Sequence, residues 1–406
     1  MHTPSDKALC NECSAEVPCE VVEDKDAVHL RKICPTHGTH RVLLSADPAY
    51  WHICCDVRAR NASAIQRSLP HMIILEAIDE CDLSCPMCIA ASTVGSGNAR
   101  PRVELIERVA RLTSKVGKLQ LIMVSGGEPT LHPEIVEILN DLCQHADQVM
   151  LITNGIRIAT DQSFVASLSQ LGSKFQAYLQ FDSMNPEVLQ SLRGKDYTNV
   201  RREALVNLQM YNVATTLVCV VKRGQNEKEM GDIVKLASSF RNIVGITFQP
   251  IRSSGRHADF SYEEHSITLS EVRRQLLIDL DCSEMDIVPH PLNPERIAIG
   301  YFTTESWPLR PITSAIFNET ILADESKEFS LYLDSSEMRQ HCSGRPTLRV
   351  TIISFLDRFD YSRQFSLQGG IVFLTDNEEI VPLDQRFLFS SAASQPISLT
   401  KPRSIP

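Results

Sequence analysis

No stretch of this sequence comes near the roughly 18 consecutive apolar residues of a membrane-spanning helix, so no transmembrane segment is expected. Its opening, MHTPSDKALCNEC, lacks the apolar core of a secretion signal, which makes a cytoplasmic location the expectation. Positive charge is also scarce. Forty Lys and Arg stand against 50 Asp and Glu, for a net charge of −10. A general nucleic-acid binder would present a basic face, so no nucleic-acid partner is expected, although a local basic pocket stays open. No internal repeat at a fixed long period is visible. A hydrophobic content of 43% and a charged content of 22% are ordinary for a globular protein. At 406 residues the chain suits one large α/β domain with additions at either end.

What the sequence does have is cysteine, 13 in all and unevenly placed. Six lie before residue 56, and Cys81, Cys85, Cys88 and Cys143 bring the count to ten by residue 143. Without a secretion signal, closely spaced cysteines read as metal or iron–sulfur ligands rather than as a disulfide scaffold. Cys143, Cys219 and Cys282 stand alone and read as ordinary core or surface residues. Cys19, Cys54, Cys55 and Cys342 carry no assignment.

Composition divides the chain into a Cys/His-rich module (1–69), a core (70–252), a less regular region (253–390) and a polar tail (391–406) expected to be disordered. The core repeats one theme. Aliphatic runs at 71–78, 118–124, 148–154, 174–181, 215–221 and 244–250 read as strands, with an amphipathic helical stretch between each successive pair. In the first of these, Leu105, Ile106, Val109, Leu112 and Val116 share one helical face, and Gly117 stops the helix. Such alternation implies parallel strands with right-handed crossovers. The expected fold class is α/β, a partial (β/α)6 TIM-like barrel with a small N-terminal metal module and an α+β C-terminal extension. An open doubly wound sheet is the competing arrangement.

The strongest chemical signal is Cys81-Asp-Leu-Ser-Cys85-Pro-Met-Cys88, just past the first strand. Three thiolates at this spacing can wrap one corner of a [4Fe–4S] cubane. Full protein ligation takes four, so one iron would stay open, as catalysis at a metal requires. A structural zinc site or a fully ligated electron-transfer cluster is the alternative. The second strand ends in Ser125-Gly126-Gly127-Glu128-Pro129-Thr130, where two glycines would let backbone approach a ligand closely.

Together these motifs resemble the radical S-adenosylmethionine (SAM) superfamily over residues 70–252. The resemblance implies a [4Fe–4S] cluster on Cys81, Cys85 and Cys88 whose open iron chelates SAM, and reductive cleavage to a 5′-deoxyadenosyl radical. It implies reduced flavodoxin or ferredoxin as electron donor. It also implies cofactor contacts from Ser125, Gly126, Gly127, Glu128 and Pro129. Glu128 would accept from the SAM ammonium. Asn154, Gln180, Asp182 and Gln249 at later strand ends would add polar contacts, although Asn154-Gly155 and Asp182-Ser183 are equally good turn and cap chemistry. Lys222 and Asn226 follow strand five. Met87 stands where the superfamily commonly has an aromatic residue, and a thioether can fill the same space.

Cys10-Asn-Glu-Cys13 and Cys34-Pro-Thr-His37 can supply four tetrahedral ligands to zinc, or to a single iron. Free thiols are the plainer alternative. Such a small module needs a metal to be stable. Joined to the core and to the phrase Phe248-Gln-Pro-Ile-Arg-Ser-Ser-Gly-Arg256, it resembles the branch of archaeal pterin-precursor methyltransferases and tetraether lipid synthases. That implies C–C bond formation, by methylation or alkyl coupling, on a small-molecule or lipid substrate. Those relatives carry further C-terminal cysteines for auxiliary clusters. Here only Cys282 and Cys342 lie beyond residue 250, so no auxiliary [4Fe–4S] cluster is expected. This opens two other readings. One is radical rearrangement or dehydrogenation in specialised metabolism. The other is a non-catalytic metal-binding member. Arg252, Arg256 and His257 are candidate substrate contacts.

Overall fold

The computed structural model describes residues 6–62, 72–95, 97–257, 260–291, 293–314, 346–366 and 371–388. Cys342, the 391–406 tail and the end of the N-terminal module (63–69) lie outside them. Among the described residues, no helix is long and apolar enough to cross a membrane.

The module is a four-stranded antiparallel sheet, β1 (Asp6–Leu9), β2 (Glu16–Glu23), β3 (Val28–Cys34) and β4 (Gly38–Ser45), paired in chain order. It packs firmly on the rest of the chain. Lys32 is wholly buried, and its ammonium donates to the Leu9 carbonyl at 2.8 Å and the Phe359 carbonyl at 2.6 Å. Burial pulls its pKa down to about 8, although the neighbouring Asp360 and Asp357 oppose the shift. Arg358 donates to the Asn11 carbonyl at 2.9 Å, and Tyr262 to the Leu43 carbonyl at 3.3 Å. A helix over Pro48–Arg60 follows, capped by Asp47, whose carboxylate accepts from the Tyr50 amide at 3.0 Å. Cys54 and Cys55 sit in this helix. Cys54 is buried, so it serves as core.

All six expected core strands are present: β5 (Met72–Ile78), β6 (Leu119–Gly126), β7 (Ala146–Thr153), β8 (Phe175–Gln180), β9 (Thr215–Val221) and β10 (Ile243–Pro250). Each pairs in parallel with the next. Both faces are covered, so the strands read as nearly continuous apolar runs. Ile73, Leu75, Val124 and Leu151 point outward to the helices. Met72, Ile74, Met123, Met150 and Tyr178 point into the barrel.

The sheet does not stop at six. After β11 (Ile297–Thr303), the strand β12 (Thr347–Ile353) lies parallel to β10. At the other edge β13 (Ile371–Leu374) lies parallel to β5, and β14 (Ile380–Pro382) returns antiparallel to it. Ile353 and Phe373 join the inward apolar cluster. The C-terminal region therefore completes the barrel wall as well as extending beyond it. Its strands lie far from their core partners along the chain, so no local pattern marks the pairing.

His290 lies wholly buried before β11, and desolvation pushes its pKa down to about 3 from an ordinary 6.5. Between pH 6.5 and 3 the unfolded chain binds a proton that the folded chain does not. Stability from this group is complete above the ordinary value and is lost as pH falls through that window, at about 1.4 kcal/mol per pH unit. Calorimetry should show the melting midpoint of the wild type falling more steeply with acid than that of His290→Gln. Parallel slopes would show that His290 is not the source.

Candidate functional site

The cysteine loop leaves β5 at Ile78 and has little secondary structure of its own. The chain holds it from two sides. From the β6 end, the Gly127 amide donates to the Ile78 carbonyl and the Glu128 amide to the Glu80 carbonyl, both at 2.8 Å. A Cβ on Gly126 would sit 2.0 Å from the Ile78 oxygen, and one on Gly127 2.0 Å from the Glu80 oxygen. The approach of the chain's own loop thus already requires both glycines.

From the β10 end, Arg256 and His257 pair antiparallel with Cys88 and Met87. The Arg256 guanidinium donates to the Cys85 carbonyl at 2.7 Å. Gly255 has φ +67°, and a Cβ there would lie 2.2 Å from the Ile89 oxygen and 2.3 Å from the Cys88 oxygen.

Burial pushes the Cys81 thiol up to about 12, helped by Glu128 and Asp82, and raises Cys85 as well, against the pull of Arg193. Thiolates there need a bound cation at neutral pH. The chemistry of three thiols on one short loop suits a [4Fe–4S] cluster, whose irons would supply that charge. Cys88 and Met87 face a largely apolar cavity of about 250 Å³ inside the barrel. Ser125, Gln180 and Gln249, all expected contacts, line it too. Gln180 accepts from Arg201 at 2.8 Å, and Gln249 donates to the Tyr178 hydroxyl at 3.5 Å.

Three expected contacts have different parts. Glu128 is only 1% exposed. Its carboxylate accepts from the Thr130 amide and hydroxyl, the Thr153 hydroxyl and the Asn154 amide, at 2.6 to 3.0 Å. It caps the short turn begun by Pro129 and ties β6 to β7, with three of these four hydrogen bonds on Oε1 and one on Oε2. Burial raises its pKa even so. Asp182 is fully buried and grips Arg193 through both oxygens, at 2.6 and 2.7 Å. Burial works against its charge, but Arg193 outweighs it and holds the carboxyl below its usual range. Asn154 donates to the Asp82 carboxylate at 2.6 Å, bracing the cysteine loop from β7. Asn226 is also a brace, donating to the Asp182 and Val220 carbonyls at 3.0 and 2.7 Å.

Arg193 was missed by sequence reasoning. It ends the helix Pro186–Arg193 and donates to the Met87 carbonyl at 3.4 Å. The signals were there: an Asn185 cap, Pro186 in the first turn and Gly194 in the left-handed conformation at the end. Of the proposed substrate contacts, Arg252 and Arg256 line the cavity, whereas His257 is exposed and stacks on Phe260 at 6.4 Å.

In the N-terminal module, the ligand atoms of Cys10, Cys13, Cys34 and His37 all lie within 4.8 Å of one another. His37 Nδ1 is 3.5 Å from Cys34 Sγ and 3.7 Å from Cys10 Sγ, and Cys13 Sγ is 4.0 Å from Cys34 Sγ. Tetrahedral ligands about a 2.3 Å metal–sulfur bond sit roughly 3.7 Å apart, so the set fits one ion. His40 Nε2, 3.7 Å from Cys10 Sγ, was not anticipated.

Residues 75–237 match the family model of the radical SAM superfamily, and residues 5–46 match the HMPTM N-terminal zinc ribbon domain. Residues 75–237 form a radical SAM domain. The chain is 24% identical over 328 residues to 7,8-dihydro-6-hydroxymethylpterin dimethyltransferase of Methanocaldococcus jannaschii, covering 74% of this chain and 64% of that protein. It is 28% identical to mycofactocin maturase MftC of Mycolicibacterium smegmatis, over 53% of this chain and 54% of the relative. A probable GTP 3′,8-cyclase of Pyrococcus abyssi is 26% identical over 41% of this chain and 52% of its own. The chain thus spans less than two thirds of the length of each of these relatives. Streptococcus suis SuiB bound to S-adenosylmethionine aligns over 68% of this chain and 69% of its own, with 13% identity and a TM-score of 0.43. A radical SAM domain implies a [4Fe–4S] cluster, SAM, an electron donor and a substrate, and the expected resemblance to the pterin-precursor methyltransferases is borne out.

Because the loop is held through glycines that admit no Cβ, Gly127→Ala and Gly255→Ala should each load fewer than one iron per chain after anaerobic reconstitution, against about four for the wild type. Iron analysis beside circular dichroism checks this. Full loading of folded variants would show that the loop can shift.

Proposed function

We propose that this chain cleaves SAM reductively to form a C–C bond, by methylation or alkyl coupling, on a small-molecule or lipid substrate. The observation that carries the reading is the opening of the cysteine loop, through Cys88 and Met87, onto the barrel cavity. A [4Fe–4S] cluster on Cys81, Cys85 and Cys88 would supply the electron that converts bound SAM to methionine and a 5′-deoxyadenosyl radical.

The chain's own residues bind, orient and shield. Ser125, Gln180 and Gln249 are side chains at the cavity's polar end, positioned to hydrogen-bond the polar groups of SAM. Gly126, Gly127, Glu128, Pro129 and Asn154 act behind them by fixing the loop and the β6 turn, and Asp182 acts through Arg193. The barrel wall excludes water, which would otherwise compete for a reactive intermediate. Reduced flavodoxin or ferredoxin would donate the electron in the cytoplasm. Zinc suits the Cys10, Cys13, Cys34, His37 set, in line with the matched ribbon domain. The second reading, rearrangement or dehydrogenation, is favoured by the scarcity of cysteine beyond residue 250, where only Cys282 and Cys342 lie.

Anaerobic, reconstituted, dithionite-reduced protein should convert SAM to 5′-deoxyadenosine, and Cys85→Ala should lower the yield at least 100-fold. Chromatography reads both. A wild type that binds about four irons yet never cleaves SAM, with pterins and lipids offered, would point to a non-catalytic role.

A further inference from the structure

The cavity is divided by chemistry along its length. Its polar side chains gather where the cysteine loop meets the barrel, and most are already held. Arg193 is held by Asp182, Gln180 by Arg201, and Arg252 by the Phe355 carbonyl and Ser354. Deeper in, β5 to β9 present Ile74, Met123, Ile152 and Val218. The opposite wall comes from the C-terminal region, which lies outside the matched superfamily domain, and presents Ile353, Phe355, Ile371 and Phe373. Two donors at the polar end are unmet among the described residues, the buried Ser254 hydroxyl and the buried Nη2 of the Arg256 guanidinium.

We infer that the substrate presents a hydrocarbon segment to this cavity and carries a head group that accepts a hydrogen bond from Arg256, as a fatty acid or an acyl ester does. The inference rests on the reading of the cavity as the radical site and specifies what enters it. A pterin ring carries donors and acceptors around its edge. Against this wall each would lose water without gaining a partner, and each such loss weakens binding roughly tenfold or more. An alkyl segment loses nothing there and gains burial. The name of the pterin dimethyltransferase relative therefore does not carry over to this chain's substrate.

Binding can be read without turnover. The reconstituted, SAM-loaded full chain is titrated calorimetrically with dodecanoate, with methyl dodecanoate and with 6-hydroxymethylpterin. Saturable one-to-one binding of an alkyl probe, weakened at least tenfold by Val218→Phe, is expected. Ile353→Gln gives the same readout should the first variant fail to load iron. Dodecanoate binding over its methyl ester marks a free acid as the source, and comparable binding of both marks an acyl ester. Tighter binding of the pterin, no alkyl binding, or alkyl affinity unchanged in both variants would overturn the inference. Release of 5′-deoxyadenosine by the wild type is scored separately, so failure of SAM cleavage counts against the proposed function and leaves the binding result standing.

Discussion

Two backbone approaches that admit no Cβ fix the cysteine loop, one at Gly126-Gly127 against the carbonyls of Ile78 and Glu80, the other at Gly255 against those of Cys88 and Ile89. A loop with little regular structure has a large entropy to lose on ordering. Here that cost is met by backbone hydrogen bonds from β6 and β10, by Arg256 on the Cys85 carbonyl and by Asn154 on Asp82. The three cysteines are thereby referred to the rigid sheet on both sides, the arrangement a functional site needs if its geometry is to be kept.

The same logic explains why so many polar residues at the strand ends face each other. Glu128 unites the β6 turn with the start of the loop after β7, and Asp182 clamps Arg193, which reaches the Met87 carbonyl. A buried pair of this kind contributes little net stability, because desolvation offsets its attraction, but removing one partner is severe. Its value is positional. It fixes the wall beside the cluster loop while leaving Ser125, Gln180 and Gln249 toward the cavity.

Much of this was legible in the sequence. The six core strands announced themselves as aliphatic runs because both faces of a parallel sheet are covered, and the clustering of the CxxC…CxxH set was legible because metal ligation fixes spacing. The roles of Glu128 and Asp182 were not. A carboxylate at a strand end looks the same in sequence whether it faces a ligand or a neighbouring amide, and only burial separates the two. β12 and β13 escaped because they lie far from β10 and β5 along the chain and pair with them only in three dimensions. His40 escaped because its contact with Cys10 spans two strands of the ribbon.

The ribbon's place in the molecule follows from what it touches. Lys32, on the strand that ends at Cys34, donates to the Phe359 carbonyl. Two residues earlier, Asp357 accepts from the Ser253 amide at 2.9 Å. Ser253 begins the turn through Gly255 and Arg256 that closes on the cysteine loop. Asp360, in the same segment, lies 3.1 Å from Arg296 and 4.0 Å from Arg252, and these arginines outweigh burial to hold its pKa down. Each hydrogen bond in this chain is worth about 1 kcal/mol net, too little to order the 355–366 segment singly. A metal on Cys10, Cys13, Cys34 and His37 changes the scale, since ligand binding and folding of a small metal module share one free energy. Locked in that way, the ribbon becomes a rigid face against which residues 355–366 are ordered. That segment in turn supports the turn that grips the cluster ligands.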